Sequence, residues 1–431
     1  LKKFLSSLQW ALFILMGSIV VPVAVASSYG LSPGLTVEFV QRTLFVLGMA
    51  GILQTLFGHK LPIQEGPAGL WWGVFSLYAG LGPVLFGSHL ETLRALQFAF
   101  ILSGIIFIVF SLFGWVEKIA SYISPTVVGV YLILMVAQLS GSFLQGMSGL
   151  NGDSNVIQPT VLALSLGIVV LSYMFMRLSR FGHYSVLFTI VFGWIVFSLF
   201  DLTKPIINVT ETFKLPEIFA FGTPSIEPNM VIMVVFITFL LLANMLASVK
   251  VVQHVMEREK VHYEKNRLKE TGIISGVNQL LGGCFSAIGA VPISGSAGFI
   301  MTTKITSKLP FLLGSLAIVA ISFVPSITAF VASIPEAVGY AAILPVFSSI
   351  ISLAFQEFDS VENKQILYRI VSVSLFGGIG VMFIPSEAFT NMSPTLASIL
   401  SNGLVFGAII AVVCEALLTR KIDKEKQWKS A

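Results

Sequence analysis

Apolar residues in this chain come in long unbroken runs, and the polar residues collect between them. Neither the alternation of a half-buried strand nor the narrow stripe of a surface helix dominates. A helix needs about 20 apolar residues to cross the hydrocarbon of a bilayer. Cutting the chain at charged, polar and Gly/Pro-rich stretches leaves twelve runs of that size, at 8–28, 38–58, 92–113, 123–143, 157–177, 183–200, 229–250, 270–288, 310–330, 335–355, 366–385 and 396–419. Two further segments, 66–80 and 295–305, are apolar but too short. Each follows a stretch with proline and β-branched residues, Leu61-Pro62-Ile63 and Ala290-Val291-Pro292-Ile293, and reads as a half helix entered through extended backbone. Non-helical backbone at membrane depth is tolerated only where protein or a polar cavity satisfies its amides, so these segments are the expected lining of a site.

If both half helices complete a crossing, fourteen spans result and the termini share one side. Basic residues gather on the cytoplasmic side of membrane proteins. With the termini there, all 25 Lys and Arg fall on that side except Arg42, Arg94, Lys204 and Lys214. Twelve spans would invert everything between residues 66 and 300 and spoil this asymmetry. The expectation is an all-α, multi-pass protein of the cell membrane with cytoplasmic termini. The charge-dense segment Lys250–Glu270 reads as a cytoplasmic interfacial helix or as a solvated connector.

Composition changes the picture only by exclusion. Hydrophobic residues make up 55% of the chain and charged residues 11%, with a mean hydropathy of +0.91, whereas about a quarter of an average soluble chain is charged. Cys284 and Cys414 lie inside apolar runs, and the histidines fall in loops, so no metal site is expected. No phosphate-binding Gly-Lys-Ser/Thr loop and no recurring nucleophile–base pair is present, so no cofactor, catalytic residue or nucleic-acid partner is expected either.

Residues 1–205 and 229–419 each hold seven spans with the half helix third, joined by an extracellular linker at 206–228 and followed by a cytoplasmic tail at 420–431. Gly66-Pro67-Ala68-Gly69 and Gly295-Ser296-Ala297-Gly298 share Gly, Ala and Gly at a constant offset of 229. An odd number of spans per repeat inverts the second copy. Inverted repeats with paired interrupted segments are the pattern of a secondary transporter with a site near the midplane. The free amides and positive dipole at a half-helix N-terminus suit carbonyl oxygens or an anion.

At these residues the chain resembles the nucleobase/ascorbate transporters, also called nucleobase cation symporter 2, over essentially its whole length. The most specific piece is Gly295-Ser296-Ala297-Gly298-Phe299-Ile300-Met301-Thr302-Thr303-Lys304. It fits the family signature at Gly298, Thr303 and Lys304 and departs at Gly295, where the family has Gln, Glu or Pro, and at Ser296, where it has Asn. The family's Gln-His pair on the first span is similar to Gln9-Trp10, and its acidic position on the eighth span corresponds to Asn244, with Ser248 four residues on. The resemblance implies fourteen spans in two inverted repeats, a core and a gate domain, and short antiparallel strands in spans three and ten at the centre of the site. It also implies import of a nucleobase such as uracil, xanthine or urate with protons, and a homodimer.

The departures remove the family's usual proton carriers, because neither Asn244 nor Gly295 titrates. An Asn amide can still pair with a base edge as donor and acceptor. Glu65, beside Gln64 at the mouth of the first half helix, is the nearest substitute, since a carboxylate at the midplane is costly unless it has a function; its alternative is an ordinary cytoplasm-facing position near His59 and Lys60. The candidate substrate-binding residues are therefore Glu65, Asn244, Ser294, Gly295, Ser296, Gln9 and Phe299, with Glu65 also the candidate for proton coupling. Trp71 and Trp72 are stacking or packing residues. A carrier of another planar or small anion, and an uncoupled channel or sensor with the same fold, remain the alternatives.

Overall fold

The computed structural model of the chain describes residues 2–120, 124–150, 156–177, 185–203, 211–332, 335–385 and 402–430, and positions 388, 392, 396 and 400. The fold is mostly helical: α1 (Lys2–Ser28), α2 (Pro33–Leu56), α3 (Gly69–Phe86), α4 (His89–Leu112), α5 (Trp115–Ala120), α6 (Pro125–Met147), α7 (Pro159–Arg177), α8 (Ser185–Leu199), α9 (Pro228–Arg258), α10 (Leu268–Cys284), α11 (Gly295–Thr303), α12 (Lys308–Ser322), α13 (Pro325–Ala332), α14 (Glu336–Asp359), α15 (Lys364–Met382) and α16 (Gly403–Ser430). Two three-residue strands, β1 (Glu65–Pro67) and β2 (Ala290–Pro292), precede α3 and α11. Among the described residues eight helices, α1, α2, α4, α6, α7, α9, α14 and α15, are long and apolar enough to cross a membrane, and α8, α12 and the 403–418 part of α16 are shorter apolar helices.

The polar breaks between apolar runs are helix caps. Ser32 accepts from the Leu35 amide ahead of Pro33, Ser88 from Glu91, Ser124 from Val127 ahead of Pro125, and Asn363 from Ile366. Each supplies an acceptor to the first-turn amides that a helix leaves unpaired. Proline at the first helical position has no amide to satisfy there.

The helices pack as two bundles. In one, α4 lies along α10, α12 fills the angle between α1 and α2, and α9 crosses α4. In the other, α14 packs on α6, α7 and α8, and α15 and α16 pack together against α6. Each bundle takes helices from both halves of the sequence. They meet mainly where α14 touches α11 and α1, and where α6 touches α9. The sheet belongs to the first bundle, against α1, α2, α9 and α10.

Between lipid-facing helices small residues allow the close approach that dispersion needs. A Cβ on Gly104 of α4 would stand 2.7 Å from the Gly276 carbonyl oxygen of α10, and one on Gly276 would stand 2.7 Å from that of Gly104. The 211–227 segment straps the end of the same bundle at which α10 and α12 finish. Its Lys214 amide donates to Phe323 and its Phe219 amide to Cys284, while Gln97 and Arg94 donate to the carbonyls of Gly222 and Thr223. The Lys214 ammonium donates to Glu38 at 2.7 Å, and that bond holds its pKa above the ordinary lysine value. Arg42 lies over the Phe221 ring at 5.2 Å.

Three expectations are corrected. The 310–330 run is two helices, α12 and α13, because Pro325 keeps the preceding Val324 out of helical conformation. Lys250–Glu270 holds no separate interfacial helix: α9 continues to Arg258 and buries Val251, Val252, Val255 and Met256. The offset of 229 is also not the structural correspondence. β1 lies opposite β2, with Glu65 facing Pro292, Gly66 facing Val291 and Pro67 facing Ala290, and the following helices open at Gly69 and Gly295. Gly66 is a strand residue while Gly295 is helical, so the shared Gly-x-Ala-Gly tetrads occupy different positions.

Gly276→Val should destabilise the first bundle by about 1–3 kcal/mol through overpacking, read as a lower melting temperature in detergent. Gly380→Ala on α15, where a Cβ meets nothing within 4 Å, should leave that temperature unchanged.

Candidate functional site

The two strands bring non-helical backbone into the interior, and their amides are satisfied by the residues around them. The Gln64 amide donates to Ser296 Oγ at 2.8 Å, and the Ile293 amide returns to the Gln64 carbonyl at 2.9 Å. From α10, Gln279 donates to the Ala290 carbonyl at 2.8 Å and accepts from Trp71 Nε1 at 2.9 Å. A Cβ on Gly66 would lie 2.1 Å from Ile293 Cδ1, so the end of that side chain would have to turn aside.

Beside this sheet, between the bundles, is a cavity of about 160 Å³. A dry cavity of about 150 Å³ accepts benzene, so the space suits one small planar ring system. Its walls are aromatic and aliphatic, with Phe13, Trp72, Phe143, Tyr340 and Phe347 among them. The polar groups are few: Gln64, Tyr131, Gln138, Asn244, Ser294 and Asn402. No Asp, Glu, Lys, Arg or His lines it among the described residues.

These polar groups are held in place. Tyr131 on α6 donates to Asn244 Oδ1 on α9, which leaves the Asn244 amide nitrogen as a donor. Ser294 is bonded to Ser248 on α9 at 2.8 Å. The Gln64 amide nitrogen donates to the Ile14 carbonyl and to Ser18 Oγ, both at 3.3 Å, which leaves its oxygen as an acceptor. Gln138 and Asn402 accept from the Leu404 and Val405 amides at the start of α16.

Of the residues singled out in the sequence, Asn244, Ser294 and Gly295 line the cavity. Ser296 is one position behind and supports it by accepting from Gln64. Phe299 is fully buried and reaches the cavity only through Phe13, with ring centroids 4.5 Å apart, while its other face meets Trp10 at 4.1 Å. Gln9 is buried on α1, outside the lining, with no hydrogen-bond partner for its amide. Gly298 and Thr303 lie within α11, where Thr303 bonds the Phe299 carbonyl. Lys304 ends that helix in left-handed conformation at φ 57° and reaches Glu259 at 2.5 Å.

Glu65 is the main correction. Successive side chains of an extended strand point to opposite faces, so Gln64 enters the cavity and Glu65 turns away from it. Its carboxylate lies 3.5 Å from His59 Nε2, with both side chains buried, and beside Asn278 of α10. His59, expected in an exposed loop, is 2% accessible. Sequence reasoning passed over Tyr131, Gln138 and Asn402, and only a polar residue within a span signals them.

A family model described as Permease family matches residues 1–387. The chain is 41% identical over 420 residues to the "Putative purine permease YwdJ" of Bacillus subtilis (strain 168), covering 96% of both chains. It is 24% identical over 438 residues to the Xanthine permease of the same organism, covering 98% of this chain and 96% of that one. Among solved structures it is similar to the transmembrane domain of a cyanobacterium bicarbonate transporter, BicA, with a TM-score of 0.57, 16% identity and 96% of each chain covered. It is likewise similar to murine Solute Carrier 26 family member A9, an anion transporter in the inward-facing state, with a TM-score of 0.62 and 13% identity over 97% of this chain and 68% of that one. These last two likenesses concern the fold.

Trp71 and Trp72 should separate packing from lining. Trp71→Phe leaves Gln279 Oε1 unpaired in the core and should cost about 1–3 kcal/mol of stability. Trp72→Phe should leave the melting temperature in place and change ligand affinity in a binding titration.

Proposed function

Because the chain belongs to the nucleobase/ascorbate transporter family, and is on that ground a transporter and not an enzyme, we propose that it imports a purine base by proton symport. The observation that carries the reading is the chemistry of the cavity: aromatic walls around an uncharged set of amides and hydroxyls. A planar heterocycle stacks on aromatic faces and presents alternating donors and acceptors to Asn244, Gln64, Tyr131 and Ser294. Xanthine and uric acid permeases among the relatives support the purine class.

Transport proceeds by alternating access, with the bundle that carries the sheet moving as the core against the α6–α8 and α14–α16 bundle as the gate. The cavity between the bundles supports this, since a relative movement changes which side reaches it. The chain crosses the plasma membrane fourteen times, as an inverted pair of seven-span repeats at 1–205 and 229–419, with an extracellular linker at 206–228, a tail at 420–431 and both termini cytoplasmic. The support is that α3 and α11, each entered through a strand, take the same place in the two halves, together with the distribution of basic residues. A homodimer rests on the family resemblance alone.

A second reading is a carrier of a small or planar anion. Gly69 and Gly295, the first residues of α3 and α11, both line the cavity, and helix N-termini favour negative charge.

Thermal shift of the purified protein against xanthine, hypoxanthine, guanine, uric acid and uracil, with benzoate and sulfate alongside, separates the two. A purine at 100 times its dissociation constant should stabilise by about 2.7 kcal/mol; a shift with sulfate or benzoate and none with the bases would overturn the purine reading. Asn244→Ala should weaken purine binding about tenfold, the equivalent of one hydrogen bond of about 1.4 kcal/mol, and should also lower the unliganded melting temperature, because the Tyr131 hydroxyl loses its acceptor.

A further inference from the structure

On the side of β1 away from the cavity is a second polar cluster. Glu65, His59 and Asn278 are 1%, 2% and 0% accessible. Both carboxylate oxygens of Glu65, Nε2 of His59 and both amide atoms of Asn278 lack a hydrogen-bond partner. A buried ion without partners costs several kcal/mol, and so many unsatisfied groups in one place call for an explanation. Around them the structure is well bonded. Gln54 on α2 donates to the Thr271 carbonyl and to Ser275 on α10 and accepts from the His59 amide.

We propose that Glu65, with His59 and Asn278, is the coupling site of the carrier and takes one proton per transport cycle on the face of β1 turned away from the substrate. The proposal rests on the symport reading above and says where its proton sits.

The donor set fits a proton. His59 Nδ1 accepts from the Leu61 amide at 3.0 Å, so the neutral ring carries its hydrogen on Nε2, 3.5 Å from a Glu65 carboxylate oxygen. Burial first, and then the positive charges of Lys308 and Arg267 on the surrounding elements, oppose a second proton on the His59 ring. The exchangeable proton therefore belongs to the carboxyl group.

The neighbours serve both of its states. Ionised, the carboxylate can accept from His59 Nε2–H and from the Asn278 amide nitrogen; protonated, its O–H can donate to the Asn278 oxygen, because an Asn side chain offers both kinds of partner. On loading, hydronium on one side of the membrane gives up a proton to the carboxylate and leaves as water; on release, the O–H bond of Glu65 breaks and the proton passes to water on the other side. The consequence reaches the substrate through a single peptide unit. Gln64 and Glu65 are consecutive, and the Gln64 backbone is tied to Ser296 and Ile293, which flank Ser294 and Gly295. A change in how Glu65 bonds to α10 and to the 57–61 turn moves the strand that carries Gln64.

The test uses the full-length protein in liposomes, with radiolabelled xanthine and hypoxanthine as probes and a pH-sensitive dye inside. Wild type should acidify the lumen as base enters. Glu65→Gln should lose gradient-driven accumulation and proton entry by about tenfold or more, within the usual range of coupling between sites, while base counterflow and the purine thermal shift stay near wild type. His59→Asn keeps the carboxyl and should displace the pH of half-maximal accumulation with the thermal shift unchanged. If Glu65→Gln abolishes the purine thermal shift, Glu65 is part of the substrate site and the proposal falls. It falls equally if Glu65→Gln still accumulates base with protons. If Glu65→Gln fails to fold, unchanged coupling in both His59→Asn and Asn278→Ala overturns the assignment. Base entry without protons in wild type refutes the symport reading itself, a result distinct from a misplaced site.

Discussion

The structure depends on one constraint: backbone that leaves the helix inside a bilayer must find partners for its amides within the protein. Here two three-residue strands solve it by pairing with each other, and the side chains of Gln279, Ser296 and Trp71 complete the arrangement. The cavity lies against that sheet, and Gln64, Ser294 and Gly295 reach it from within a few residues of the strands. Two bundles of ordinary helices, packed closely where glycines face each other across α4 and α10, hold the exception in place.

The constraint also explains what the sequence could show. Apolar runs and their polar breaks are strong signals, and the breaks are the caps of the observed helices, as at Ser88 and Ser124. The two interrupted segments were legible because they follow prolines, but only α11, with nine residues, is a half helix; α3, expected at 66–80, runs for 18 residues from Gly69 to Phe86. Register was not. A shared Gly-x-Ala-Gly tetrad pairs Gly66 with Gly295, whereas the helix starts pair Gly69 with Gly295. Glycine serves one of these positions as a strand residue pressed against Ile293 and another as the first residue of a helix, so identity of residue type does not mean identity of place.

The site was half legible for a related reason. Asn244, Ser294 and Gly295 follow from the family resemblance and do line the cavity. Gln64 and Glu65 are adjacent, and composition makes the acid the more conspicuous residue. Strand geometry sends the amide into the cavity and the acid behind it, a distinction of one residue that cannot be drawn until the strand's own limits are known. His59 sits in a connection three residues past α2 and is buried all the same, because the turn that carries it folds under the sheet.

Separating the uncharged cavity from the buried acid has a physical advantage. A carboxylate that touches the substrate must lose its solvent and bind the base in the same step, so its charge state and the occupancy of the site cannot vary independently. With the coupling site proposed at Glu65 on the far face of β1, the cavity would keep one set of neutral donors and acceptors throughout the cycle, and the cost of a buried charge would fall on a place where His59 and Asn278 can meet it. The strand between them is short, fully buried and paired with β2 along one edge. Such an element does not bend gradually, since close-packed interiors favour discrete arrangements over continuous deformation. A change on one face of a three-residue strand is therefore felt on the other.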